Sequence, residues 1–401
     1  MTGHFSLHDT LIIGAGPAGS ALAYFLAARG REVLLLDKSN FPRDKTCGDG
    51  LSPRALHILR EMGLLDAALN VGFRINRVLL FAPGGHLVEA PVPAFDHLPN
   101  YALVLPRLQL DNLIRERAVS AGAEFRAPVT VTELLREGEA FVGARATTPD
   151  GPREFHARQT VLATGAAIGL LERAHLLPTP PAFGRAARTY YQNMRGLSDA
   201  IEFHFDSVPL PGYGWVFPTS PTTANVGAGY FTRSGAGQAP LRNSPRQVFD
   251  EFILNPRVAE MLTHAHATAP VKGYPLRFDF PTARLAFPGL CLVGEACGLV
   301  NPLTGEGIDY ALESAAVAAE VLGAAHTPET YTRALHARFL RMFVNITRVR
   351  DLYLRPWVFN RFAAAANRSA ELALLLVHIA LGNVDPLRAL SPKTLLKVAL
   401  G

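Results

Sequence analysis

The stretch Asp9–Lys38, DTLIIGAGPAGSALAYFLAARGREVLLLDK, decides the architecture. An apolar run ending at Ile13 leads into a glycine turn, an Ala/Leu-rich segment closed by Gly30, and a second apolar run that stops at Asp37. Two apolar runs on either side of a helical segment are what buried parallel strands and their crossover helix require. Gly14, Gly16 and Gly19 form the pattern GxGxxG. The first glycine permits a tight turn, the second lets backbone approach a pyrophosphate, and the third lets helix and strand pack closely, while the helix start offers free N–H groups. Gly14, Gly16, Ala18 and Gly19 are therefore candidate dinucleotide contacts. Asp37, eighteen residues past Gly19, is placed to accept hydrogen bonds from an adenosine ribose. The glycine pattern alone is weak, but here a strand precedes it, a helix follows and the distal acid is present. An acid at that place disfavours a 2′-phosphate, so FAD or NAD is expected rather than NADP.

Working outward, 401 residues suggest two domains and a sizeable core. Hydrophobic residues make up 49% and charged residues 18%, yet no apolar run reaches the roughly 18 to 20 residues that span a bilayer. The opening MTGHFSLHDT lacks the basic and apolar regions of a secretory signal, which predicts a cytoplasmic protein. Three cysteines, Cys47, Cys291 and Cys297, give neither a disulfide framework nor a metal-ligand spacing, so no metal site is expected. Residues 331–401 hold eleven Lys/Arg against three acids. Arg341, Arg348 and Arg355 recur every seven residues beside Leu340, Phe343, Leu352 and Trp357, which fits either a solvated basic face or peripheral docking on an anionic membrane. No recognition motif accompanies the charge, so nucleic acid is not an expected partner.

Further along, PRLQLDNLIRERAVSAGAEF reads as a helix ending at Gly122, and RQTVLATGA as a strand returning to the parallel sheet. From about 170 to 275 the alternating stretches DAIEFHFDS, YGWVFPTS and TANVGAGYF predict antiparallel strands, and from about 308 onward the chain reads as helical. The predicted division is a discontinuous dinucleotide-binding domain over 1–75, 100–170 and 276–330, a β-sheet substrate domain over 76–99 and 171–275, and a C-terminal helical segment over 331–401.

FPRDKTCGDGLSPRAL (Phe41–Leu56), PGYGWVFP (Pro211–Pro218) and GLVNPLTGEGI (Gly298–Ile308), taken with Arg107 and the opening unit, resemble the geranylgeranyl reductase family of FAD-dependent oxidoreductases. The resemblance implies an α/β fold with a Rossmann-like, p-hydroxybenzoate hydroxylase-like FAD-binding domain and an antiparallel substrate sheet. It places Arg107 on the flavin's linker, Val131 beside adenine, Gly294 and Glu295 at the ribityl chain, and Gly305, Gly307 and Ile308 at the isoalloxazine edge. Glu295 stands where the family has aspartate, and Leu210 where its aromatic motif has a first proline. Cys47, Gly48 and Gly50 belong to a loop facing the flavin, and in the family this cysteine is implicated in activity; an inert buried thiol is the alternative reading.

Tyr213, Trp215 and Phe217 alternate along one predicted strand and so share a face. They form either an aromatic wall for an isoprenoid chain, with Pro302 on the same substrate side, or ordinary core between sheets. Cys47, Tyr213 and Trp215 are the expected catalytic group, while Asp49 is either a proton source or a turn-former. The implied reaction is reduction of a carbon–carbon double bond in a prenyl diphosphate, prenyl lipid or prenylated quinone by hydride from reduced flavin. A flavin-dependent monooxygenase or halogenase-like enzyme on the same fold, and a flavin-bound lipid carrier without catalysis, are the competing readings. The sequence has no second GxGxxG unit, so the reductant is either transiently bound NAD(P)H or a ferredoxin-type electron-transfer protein.

Overall fold

The computed structural model describes residues 7–177, 180–231, 244–323, 327–353 and 355–400. The reading of a missing leader rests largely on the first six residues and lies outside that set. Strand Leu7–Ile13 pairs in parallel with Val33–Leu36 on one side and with the second half of Gly151–Leu162 on the other. Glu124–Arg126 and Leu290–Leu292 extend this parallel core outward. The central strands are buried at consecutive residues, which is why their sequences are apolar without alternation, and helix Pro17–Ala27 packs over them between Arg107–Ser120 and Ile308–Leu322. The first half of Gly151–Leu162 belongs to an antiparallel hairpin with Ala140–Thr148, so one long strand serves two pairings.

The second sheet holds Arg77–Phe81, Leu87–Pro91 and the strands between Phe183 and Arg277. Its central strands, Phe183–Gln192, Thr223–Phe231, Gly212–Pro218 and Ala200–His204, run antiparallel in that spatial order. One pairing departs from the expected antiparallel sheet: Ala200–His204 lies parallel to Arg77–Phe81. Those two strands come from separate excursions of the chain, so no hairpin forces them to oppose each other.

The C-terminal helices are more than an appendage. Helices Pro356–Ala366 and Ala370–Ala380 lie on the second sheet's edge strand Leu87–Pro91. Val358, Phe362, Leu372, Val377 and Ile379 form one buried cluster with Ile75, Val78, Leu80, Trp215 and Phe217. Among the described residues no helix is long and apolar enough to cross a membrane.

Candidate functional site

A cavity of about 590 Å³ runs between the two sheets, from the glycine turn to the aromatic strand Gly212–Pro218 and the helix Ala370–Ala380. At its first end the three glycines divide the work. Gly14 has φ +107°, and a Cβ there would lie 2.5 Å from the Ala163 carbonyl oxygen, so the turn needs glycine. A Cβ on Gly19 would sit 1.9 Å from the Gly14 oxygen, which makes this position a packing requirement. Gly16 instead faces open space, with nothing nearer to a Cβ than an Arg43 nitrogen at 3.8 Å. Its bare backbone leaves open space beside the helix start, which begins at Pro17 with no side-chain cap on its N–H groups. Asp37 is held in place by the Ala15 N–H at 2.8 Å and the Ser39 N–H at 2.9 Å. These residues fit the dinucleotide end of FAD.

Gly14, Gly16, Ala18, Asp37, Val131, Arg107, Glu295, Gly305, Gly307 and Ile308 all line the cavity, as do Cys47, Gly48, Gly50, Tyr213, Trp215 and Phe217. Gly19, Gly294 and Pro302 do not reach its wall: Gly19 packs beneath the turn, and Pro302 is buried behind it. Gly294 has φ +62° and a virtual Cβ 2.8 Å from that of Ala18, so it admits the first helix rather than a ligand. Arg107 is buried and gives a two-pronged ion pair to Asp111 one turn later, at 2.6 and 2.8 Å, with Cys47 beside it. Glu295 joins two segments: one oxygen lies 3.4 Å from the Lys45 ammonium and the other accepts the Arg277 backbone N–H at 3.2 Å.

The aromatic side chains follow one another along one face, with ring centroids 6.0 Å apart for Tyr213 and Trp215 and 6.3 Å for Trp215 and Phe217. Space for the indole is made on the neighbouring strand, where a Cβ on Gly227 would approach the Trp215 ring to 2.1 Å. Phe217 in turn supports the Cys47 loop, since a Cβ on Gly48 would lie 3.2 Å from its ring. Tyr213 donates its hydroxyl hydrogen to the Thr304 carbonyl, tying the aromatic strand to the segment ahead of Gly305.

Asp49 is fully buried at φ +67°, a backbone state tolerated by aspartate better than by most residues. One carboxylate oxygen accepts from the Tyr190 hydroxyl at 2.5 Å and from Asn225 at 2.7 Å. Asn225 also donates to the Cys47 carbonyl at 2.7 Å and accepts from the Trp215 indole at 3.0 Å. The loop, the aromatic strand and its neighbour are thus one hydrogen-bonded unit. Burial outweighs these donors and pushes the Asp49 carboxyl up to about 6. Burial also pushes the Cys297 thiol up to about 12; that sulfur lies 3.0 Å from the Gly294 carbonyl and is absent from the cavity wall.

A second polar group, with Asp309 and Glu313 buried and Glu306 half-buried, was not anticipated from sequence. Glu306 lines the cavity with the Ser52 hydroxyl against its carboxyl, and Asp309 lies one turn on. Arg54 sits 3.4 Å from Asp309 and 2.6 Å from Glu313, and Arg338 reaches Glu313 at 2.8 Å from the surface. Asn225 and Tyr190 were likewise missed. Their signal was a polar side chain inside an otherwise apolar strand, as in TANVGAGYF; for Glu306 it was an acid between two glycines. Among the described residues no group of three or more acids, histidines or cysteines is arranged to hold a metal ion.

A nucleotide cradle on a parallel sheet, opening onto an apolar slot under a second sheet, defines an FAD-dependent oxidoreductase, and residues 8–168 match the FAD binding domain family. The chain is 32% identical to the menaquinone reductase of Mycolicibacterium smegmatis over 94% of its length and 91% of that protein. It is also 32% identical to digeranylgeranylglycerophospholipid reductase 1 of Methanopyrus kandleri, over 78% of this chain and 80% of that one. A geranylgeranyl bacteriochlorophyll reductase-like structure from Thermoplasma acidophilum superposes with a TM-score of 0.79 at 21% identity, covering 93% of this chain and 96% of that one. The chain belongs to the geranylgeranyl reductase family of FAD-dependent oxidoreductases.

Proposed function

We propose that this oxidoreductase saturates a carbon–carbon double bond in the polyprenyl tail of a prenylated quinone. FAD, once bound and reduced, supplies the hydride. The observation that carries the substrate class is the cavity's far end, where Val377, Ala380 and Leu381 of the C-terminal helical segment complete the wall begun by Tyr213, Trp215 and Phe217. The match to the menaquinone reductase spans 94% of the chain and so extends into those helices, whereas the match to the archaeal lipid reductase spans 78%.

The protein's part is to exclude water and to hold a flat chain. The aromatic strand and the helix Ala370–Ala380 give an apolar slot, and the Asp49–Asn225–Trp215 bonds fix its floor. Gly14, Gly16, Ala18, Asp37 and Val131 would hold the nucleotide, Arg107, Glu295 and Lys45 its linker, and Gly305, Gly307 and Ile308 the ring edge. Cys47 stands between the Arg107 guanidinium and the Asp49 N–H, whose contact with its sulfur is 3.4 Å. A quinone's long tail is membrane-borne, and the protein presents exposed Trp357, Leu395 and Leu396 among Arg355, Arg361 and Lys393, a surface suited to an anionic bilayer. Co-sedimentation with anionic but not neutral vesicles, lost in Trp357→Ala, tests that contact.

The reaction is tested by stopped flow without oxygen. Chemically reduced holoprotein mixed with a prenylated quinone should recover its oxidised flavin absorbance, and a saturated-tail analogue should leave it reduced. Equal reoxidation by both would mean that the quinone ring, not the tail, takes the electrons.

A further inference from the structure

We propose that Glu306 is the acid that delivers the second hydrogen of the double bond, as a proton, with Asp309 as its neighbouring acid. The proposal rests on the reaction proposed above. Saturating an alkene adds one hydride and one proton, so a dry apolar slot needs a neutral acid within it. Two cavity-lining carboxyls are joined to the aromatic strand: Asp49 through Asn225, and Glu306 through the segment that Tyr213 holds.

Asp49 is the poorer donor. Two donors, Tyr190 and Asn225, already hold one of its oxygens, and its protonation would loosen the loop that carries Cys47. Burial pushes its carboxyl up as well, to about 6, so it is these two hydrogen bonds that set it apart. Glu306 lies on the cavity wall between Gly305 and Gly307, in a segment tied to the aromatic strand by the Tyr213 hydroxyl. The groups facing it are Ser52, Arg54, Tyr213, Asp309, Tyr310 and Glu313. Burial first, and then the negative charge of Asp309, push its carboxyl well above the usual carboxylate range, while Arg54 pulls less strongly the other way. Arg54 is occupied by Glu313 at 2.6 Å and by Asp309 at 3.4 Å.

Behind Glu306 the acids form a stair. Burial raises the Asp309 carboxyl above the usual carboxylate range, against the pull of Arg54. Glu313 follows on the same helix face and is met by Arg338, whose side chain is 57% exposed. In the step, the Glu306 O–H bond breaks and a C–H bond forms at the carbon that did not receive hydride. Glu306 is left as carboxylate and is reprotonated before the next turnover. No other oxidant or reductant is needed.

The test compares wild type, Glu306→Gln, Glu306→Asp and Asp49→Asn as FAD-loaded holoproteins. The expected result is a fall of about 10²- to 10⁴-fold in anaerobic flavin reoxidation by the prenylated quinone for Glu306→Gln, with partial recovery in Glu306→Asp. Wild type should lose rate as pH rises through the Glu306 titration. Independently of turnover, the infrared carbonyl band of a protonated carboxyl should be present in wild type at neutral pH and missing in Glu306→Gln. Wild-type speed in Glu306→Gln, absence of that band from wild type, or a larger loss in Asp49→Asn would overturn the assignment. If wild type itself saturates no prenyl bond, the proposed reaction falls and this donor with it. Turnover in wild type that survives Glu306→Gln removes the donor alone.

Discussion

The two ends of the cavity are built on different terms. The nucleotide end is made of backbone: three glycines, a helix start and Asp37 all come from one 30-residue stretch, and what matters there is the absence of side chains. The far end is made of side chains drawn from distant parts of the chain. Asp49 meets Asn225 across 176 positions, and Arg54 meets Glu313 across 259. One end depends on space left empty; the other depends on polar groups buried with their partners. The first tolerates almost no substitution at its glycines, and the second should respond in graded steps.

The largest effect is expected where space is the requirement. Gly14→Ala and Gly19→Ala force a Cβ to 2.5 and 1.9 Å from backbone oxygens, and neither contact relaxes cheaply because backbone is on both sides. Purified protein should carry no flavin absorbance; full flavin content in either variant would break the contrast between the two ends. Trp215→Ala should cost about 3 to 5 kcal/mol of stability in denaturant titration, because Gly227 has already given up its own side chain to the indole. A cost under about 1 kcal/mol would mean that the slot collapses to fill the hole.

Next in size is Asp49→Ala, which strands Tyr190 and Asn225 and should cost about 1 to 3 kcal/mol. The pH dependence has a definite sign. The Asp49 carboxyl is raised from 3.8 to about 6 on folding, so the folded state binds more protons than the unfolded state between those values. Wild-type stability should therefore decline as pH rises from 3.8 to about 6, so the stability of wild type minus that of Asp49→Asn should fall over that window. A difference that rises would show that the donors, not burial, dominate. The smallest effect belongs to Lys45→Ala. Its ion pair with Glu295 is partly exposed, so thermal stability should change by less than about 1 kcal/mol, with the loss confined to FAD affinity.

The same contrast governs what the sequence revealed. The parallel sheet, the glycine turn and the aromatic strand were legible because each is written in neighbouring residues with a fixed period. The sharing of one polar network by Asp49, Asn225 and Tyr190 was not, because no local pattern encodes a meeting of three elements. Glu306 stood inside a stretch already singled out, but the neighbouring glycines drew the reading toward the turn. The C-terminal segment was read through its charge, whereas its helix Ala370–Ala380 contributes apolar wall to the cavity.

The most direct measurement is mass spectrometry of a prenylated quinone after anaerobic incubation with chemically reduced holoprotein. The product should be heavier by two hydrogens located in the polyprenyl tail, and Trp215→Ala should form less of it. An unchanged tail, or a product that has gained oxygen once air is admitted, would contradict the assignment of this cavity to double-bond reduction.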